Sequence, residues 1–232
     1  MNGWHEFSAR QQPSFLKRLY RAWNRLGTYQ TARIDYSASS PIYLARAVQE
    51  VMTQNPNWQG KIQIHICGNK FPRDVVDSVL QQEGVAHFVT VTDSLPNREA
   101  VALARRADLL FLTLPDRPDG SSGGRISLKT YEYLMNDRPI LAAIPQGENR
   151  AFLTGQPGVW ITAPTDVPAM AATLTELIAQ KSRGTLGPYP RPEIRSQLNY
   201  TARTAEFEQI LLGICQRRNT ALPGAEAPLE SP

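Results

Sequence analysis

Cysteine is nearly absent. Cys67 and Cys215 are the two in 232 residues, too few for a disulfide framework or a four-cysteine zinc site. Histidine is almost as scarce: His5, His65 and His87 lie far apart in sequence, so no metal cluster is legible. No apolar run approaches the roughly 18 residues that would span a bilayer as a helix. The opening MNGWHEFSARQQPS lacks the apolar stretch of a signal peptide, so export by that route is not expected and a reducing cytoplasm is the expected location. Two common nucleotide fingerprints are also missing. No G-x-G-x-x-G follows the first strand candidate and no G-x-x-x-x-G-K-[ST] occurs, which weakens the dehydrogenase and P-loop readings.

What is present suits a globular chain. Hydrophobic residues make up 41% and charged residues 20%, enough to bury a core. The length fits one domain with additions, or two small ones. The net charge of +4 is uneven. Residues 1–34 carry six basic residues (Arg10, Lys17, Arg18, Arg21, Arg25, Arg33) and only Glu6 as an acid. The rest of the chain is close to neutral, which argues against nucleic-acid binding by the body. Within the basic segment Phe15, Leu16, Leu19, Tyr20 and Trp23 recur at helical spacing. Such a helix packs on its own domain or a partner, or lies on an anionic membrane surface; peripheral membrane contact would run through residues 10–33.

Strand and helix patterns then alternate. LGTY (26–29) is a strand candidate. Pro41 opens a helix with Ile42, Leu44, Ala45, Val48 and Met52 on its apolar face, and Asn55-Pro56-Asn57 stops it. KIQIHICG (61–68), HFVTVTD (87–93), ADLLFLTLP (107–115), PILAAI (139–144) and GVWITA (158–163) read as strands. Residues 73–82, 96–106, 127–136 and 167–181 read as helices, and a proline-rich linker at 187–192 leads into a last helix over about 193–217. His65 is expected in the core or on a sheet face, and Cys67 as a small buried apolar residue. The alternation predicts an α/β fold, a Rossmann-like doubly wound parallel sheet of about six strands. The expected organisation is a linker and basic segment at 1–23, the Rossmann-like domain at 24–217, and a disordered tail at 218–232.

In an open parallel sheet, ligands bind outside the carboxyl ends of the strands. The loops there begin at Gly27-Thr28, Gly68-Asn69, Asp93-Ser94-Leu95, 116–125 and 145–149. Loop 116–125 is the richest in glycine and leads into the helix SLKTYEYL. A helix start offers N–H groups and the positive end of a dipole, which suits phosphate. Ser127 can cap that helix. Lys129 in its first turn works against the dipole, and makes more sense beside a bound anion. Glu132 follows at i+3, on the same face, where a carboxylate could accept bonds from two ribose hydroxyls. The plain alternative is a buried stripe of Leu128, Tyr131, Leu134 and Met135, with Lys129 and Glu132 as a solvated ion pair.

The run Ser127-Leu128-Lys129-Thr130-Tyr131-Glu132-Tyr133-Leu134, followed by Arg138-Pro139-Ile140-Leu141, resembles a hallmark of family-4 (group 1) glycosyltransferases, approximately S/P-x-K-x-x-E-Y-L-a-a-g-r-P-I-L. Ala107-Asp108-Leu109-Leu110-Phe111-Leu112 is similar to that family's strand before the loop. Pro164-Thr165-Asp166 is similar to its entry to the late helix, and Asn199-Tyr200-Thr201-Ala202-Arg203 to the region near its final helix. The resemblance spans about residues 24–215. It implies the C-terminal, donor-binding domain of a GT-B enzyme, with a nucleotide-diphosphate sugar as donor substrate and no cofactor. By resemblance Lys129 would contact the donor diphosphate, Glu132 the ribose, and Leu95 would lie near the base. Ser127 and Leu128 would join them, and Gly27-Thr28 would face the diphosphate. Many members carry a second glutamate eight residues before the ribose-binding one; here that position is Gly124. The glycine-rich Ser121–Gly124 backbone could approach the donor instead, with Arg125 as a second phosphate cation or as a solvated loop charge. No catalytic base and no metal ligand are assigned.

Asn2-Gly3-Trp4-His5-Glu6-Phe7 resembles the family's interdomain linker, so the chain is expected to begin at a domain boundary, with an N-terminal GT-B half separate or missing. The expected activity is glycosyl transfer to an unknown acceptor. The alternative is a degenerate donor domain that binds nucleotide or a partner without transferring sugar; fold alone does not separate the two. Leu198, Phe207, Ile210, Leu211 and Ile214 in the last helix are expected to form an exposed apolar surface that meets the N-terminal half or a second copy, or else to pack on the chain's own sheet.

Overall fold

The computed structural model describes residues 34–68, 72–117 and 126–220. The strand expected at 26–29, the basic segment at 10–33, most of the glycine-rich loop and the tail from 221 lie outside the described residues. The chain divides into two compact units, Met1–Pro190 and Arg191–Pro232.

The first unit alternates helix and strand: α1 (Ile42–Gln54), β1 (Ile64–Cys67), α2 (Arg73–Gln82), β2 (Val89–Thr92), α3 (Asn97–Arg106), β3 (Leu110–Thr113), α4 (Leu128–Leu134), β4 (Ile140–Ala143), α5 (Glu148–Leu153), β5 (Val159–Thr162) and α6 (Val167–Ser182). The pairing is parallel throughout. β1 pairs with β2, and β4 lies between β3 and β5. This is the expected α/β architecture with parallel sheets. Each described strand holds four ladder residues, fewer than the apolar runs suggest, because the runs continue into turns. Phe88, for example, donates its N–H back to the Val85 carbonyl at 3.2 Å.

One apolar core joins the two sheets. Ile42, Leu44, Ala45, Val48 and Met52 of α1 are buried as expected, and Ala47 and Val51 widen the stripe. They share a cluster with Ile64 of β1, Val89 and Val91 of β2, and Leu141 and Ala143 of β4. α6 closes it with Met170, Ala171 and Leu174, packed along α1. Strand side chains alternate between faces. Leu110, Leu112, Ile140 and Ala142 are therefore buried on the opposite face, the side on which α4 packs against β3 and α5 against β5.

Helix ends follow local chemistry. Asp166 caps α6, its Oδ1 accepting the Ala169 N–H at 3.0 Å, with a proline in the first turn. Pro96 precedes α3. Beyond α2, Glu83 receives a bidentate pair from α1: Arg46 Nε and Nη2 donate to its two carboxylate oxygens at 2.8 and 2.6 Å. That hydrogen bonding holds the Glu83 carboxyl below its usual range, and Glu83 in turn raises Arg46.

The second unit holds α7 (Pro192–Gln197) and α8 (Tyr200–Thr220). One helix was expected over 193–217; the structure has two. Asn199 starts the second, its Oδ1 accepting the Thr201 N–H at 2.9 Å and its carbonyl accepting the Arg203 N–H at 3.0 Å. An asparagine that bonds the backbone just ahead favours a helix start over a helix interior. α8 runs on through Thr220, into the segment expected to be disordered from 218. Phe207, Ile210, Leu211 and Ile214 are exposed as expected, joined by Leu212, while Leu198 is half-buried. No helix among the described residues is long and apolar enough to cross a membrane.

Two outcomes test this packing. Gly158 has φ +67°, and a Cβ there would lie 2.2 Å from Cγ of Tyr189. That ring is held edge-on to Trp160 at 5.7 Å, and the Tyr189 N–H donates to the Asp137 carbonyl at 2.7 Å. Gly158→Ala should therefore lower stability by about 2 kcal/mol or more, read as a fall of roughly 4 °C or more in melting temperature; an unchanged Tm would mean that Tyr189 moves aside freely. The second concerns pH. Because the folded value of Glu83 is depressed, the stability its pair contributes is full above the unfolded carboxylate's value. It is lost as pH falls through the folded value. Glu83→Gln should melt earlier than the parent at about pH 7, and the gap should narrow as pH falls below the ordinary carboxylate range. A gap that persists in acid would show that charge is not what holds this joint.

Candidate functional site

The parallel register brings the carboxyl ends of β3, β4 and β5 level, with Thr113, Ala143 and Thr162 side by side. Cys67 and Thr92 end β1 and β2 in the same way. Thr113 Oγ1 and Thr162 Oγ1 are buried and have no hydrogen-bond partner among the described residues. The lead-in to α1 meets the segment after β3 through a two-bond bridge: the Asp35 N–H donates to the Asp116 carbonyl at 2.8 Å, and the Asp116 N–H to the Asp35 carbonyl at 3.1 Å. Cys67 corrects the expectation of a buried apolar residue. It is exposed, and its Sγ accepts from Thr92 Oγ1 at 3.4 Å. It is the last residue of its strand and falls on the exposed side of the alternation. A small recess over β1 and β2, lined by Ile42, Ala45, Ile66, Leu80 and Val91, presents no polar group for a nucleotide.

α4 carries the residues picked out by the motif. It is seven residues long, under two turns, so little of a macrodipole is available, and Lys129 is the cation that this helix carries. Lys129 and Glu132 are both exposed. Among the described residues they are not bridged to each other, so the solvated ion pair of the plain alternative does not form. The buried stripe of that alternative is also corrected. Leu128 is 68% exposed and Met135 42%, while Thr130 and Leu134 are fully buried. The stripe therefore turns one residue away from the expected one, and leaves Leu128 beside Lys129 in solvent. Tyr133 is mostly buried; burial first, then the Glu132 carboxylate and Cys67, hold its phenol above the usual range. Leu95 is half-buried in the loop after β2. Gly27, Thr28, Gly124 and Arg125 lie outside the described residues.

Ser127 occupies the cap position of α4, but its side chain makes no capping bond. A residue from another element organises this helix start. Asn149 Oδ1 accepts the Ser127 N–H at 2.9 Å and the Thr130 hydroxyl at 2.8 Å. Asn149 is 8% exposed and lies in α5, a helix that falls where a loop was expected. Gly147 precedes α5 with φ 138° and ψ −167°, a region essentially reserved for glycine. The next residue, Arg150, spans the strand ends: Nη1 donates to the carbonyls of Ile144 and Thr162 at 3.1 and 3.3 Å. Phe152 meets Tyr131 of α4 edge-on, ring centroids 5.6 Å apart. No spacing rule relates Asn149 to residue 127, so sequence reading missed it. Gly147-Glu148, a turn glycine followed by an acid in a first turn, was the local sign of α5.

No protein-family model and no curated protein matches the chain. Solved structures do. Sucrose-phosphate synthase from Thermosynechococcus elongatus matches with a TM-score of 0.56 at 16% identity, over 75% of this chain and 42% of that one. The pneumococcal O-GlcNAc transferase GtfA, solved with UDP and GlcNAc, matches with 0.53 at 10% identity, over 77% of this chain and 34% of that one. A TarM variant from S. aureus, solved with Fondaparinux, alpha-GlcNAc-glycerol and UDP, matches with 0.54 at 14% identity, over 73% of this chain and 32% of that one. The fold is therefore a Rossmann-like domain of the GT-B type, shared with part of each of these structures. The chain spans between 32% and 42% of the length of these structures.

The brace and the exposed turn should respond differently to substitution. Arg150→Ala removes a charged donor from two carbonyls and should cost about 1–3 kcal/mol in thermal unfolding. Lys129→Ala, at an exposed and unbridged position, should change stability by less than about 0.5 kcal/mol. Equal losses would show that Lys129 is part of the fold rather than available to a ligand.

Proposed function

We propose that this chain is the donor-binding part of a family-4 (group 1) type GT-B glycosyltransferase. It holds a nucleoside-diphosphate sugar for transfer to an acceptor. One observation carries the reading: Lys129 and Glu132 stand exposed and unbridged on one turn of α4, in a fold shared with two proteins solved with UDP. Lys129 serves the diphosphate and stabilises charge as the nucleoside diphosphate leaves. Glu132 accepts bonds from the ribose hydroxyls, and Leu95 lies by the base. Ser127, Leu128, Gly27, Thr28, Gly124 and Arg125 complete the donor contacts. Acceptor binding belongs to an N-terminal GT-B half, since the chain spans well under half of the structures it matches. The exposed row Phe207, Ile210, Leu211 and Ile214 on α8 is the surface assigned to that half.

A second reading has its own observation. Gly124 stands where many such enzymes carry a glutamate, which favours a module that binds nucleotide without transferring sugar.

Calorimetric titration with UDP, GDP and ADP tests the donor site common to both. One diphosphate should bind, and Lys129→Ala should weaken it by roughly tenfold to a hundredfold, the worth of a charge-assisted hydrogen bond. Glu132→Ala should weaken the same diphosphate. No binding by the parent chain, or equal binding by both variants, would overturn the site. Sugar transfer once an N-terminal half is supplied would separate the enzyme from the module.

A further inference from the structure

We propose that Asn149 is a positioning residue for the turn that carries Lys129 and Glu132. This rests on the donor-binding reading above and names the device that sets its geometry. Among the described residues α4 begins without a side-chain cap of its own. Its cap serine makes no side-chain bond, and no acid lies in its first turn. Isolated helices of this length are unstable in water. The start is held from outside, by one oxygen on α5. Asn149 Oδ1 takes both the Ser127 N–H and the Thr130 hydroxyl, at 2.9 and 2.8 Å. Those two donors bracket Lys129 in sequence, so the bonds set where its Cα sits and how the first turn is rotated. Thr130 is fully buried and Asn149 nearly so, which keeps water from competing for the bond between them, while the Ser127 bond is part-buried. The anchor is itself fixed: the adjacent Arg150 ties α5 to the carbonyls of Ile144 and Thr162, at the carboxyl ends of β4 and β5. A chain of contacts thus runs from strand ends through Arg150 and Asn149 to Lys129. It places an exposed side chain on a backbone referenced to the sheet.

The test uses the full chain and three readouts: UDP affinity by calorimetry, melting temperature, and hydrogen exchange at the Ser127 amide. Asn149→Ala should expose that amide to exchange and weaken UDP by roughly tenfold or more. Thr130→Val should weaken UDP while Thr130→Ser, which keeps the donating hydroxyl, should bind like the parent; rescue by serine is not expected of a residue that only fills space. This pair also carries the test if Asn149→Ala does not fold. If the parent binds UDP and Asn149→Ala binds it equally, the positioning role is overturned while the donor site stands. If the parent and Lys129→Ala alike bind no UDP, GDP or ADP, the donor site itself fails, and the positioning role with it.

Discussion

Every residue of β4 is buried, and the rest of the first unit is arranged around that fact. A strand in the interior has no water for its N–H and C=O groups, so both of its edges must be paired. β3 and β5 supply the partners in parallel register. Parallel pairing then requires crossover connections, and both sheet faces must be covered. α1 and α6 cover one face and α4 and α5 the other. The level ends at Thr113, Ala143 and Thr162 follow from the same register, and the candidate site is built from what leaves those ends.

The two faces are held differently. On the α1–α6 side the contacts are mainly apolar, from Leu44 and Val48 to Phe88, Met170 and Leu174, with the Arg46–Glu83 pair at the rim, and area removed from water is the main stabilising term. On the α4–α5 side burial of Leu134 and Leu153 is joined by directional bonds from Asn149 and Arg150. Apolar packing tolerates small rotations, while a buried hydrogen bond such as that from Thr130 to Asn149 at 2.8 Å restricts them. Orientation matters on this side because α4 presents charged groups outward.

The motif-like run divides by role once it is folded. Thr130 and Leu134 are interior residues. Arg138 Nε donates to the Arg105 carbonyl at 2.9 Å and holds the end of α3, and the Pro139 carbonyl accepts the Leu110 N–H at 2.9 Å. These residues keep the register between β3 and β4. Leu128, Lys129 and Glu132 are the ones that face solvent. A resemblance over this whole run therefore reports mainly on how the segment folds, and only its exposed positions bear on a ligand.

Local chemistry determined a good deal by itself. Periodicity placed α1, α2 and α6 and the cores of all five described strands, since each buries residues that its own spacing defines, and it placed α3, whose apolar face is only half-buried. Lys129 and Glu132 were legible as neighbours because i and i+3 share a helix face whatever surrounds it. The tertiary structure decided what depended on partners distant in sequence. Whether Leu128 or Thr130 enters the core is a rotation of α4 set by Asn149, 19 residues beyond Thr130. Whether Cys67 is covered depends on what the rest of the chain lays over the end of β1. The helix α5 was hidden because its six residues are too few to show a period; its stability comes from Asn149, Arg150 and Phe152 reaching other elements, and no rule of local spacing encodes those contacts.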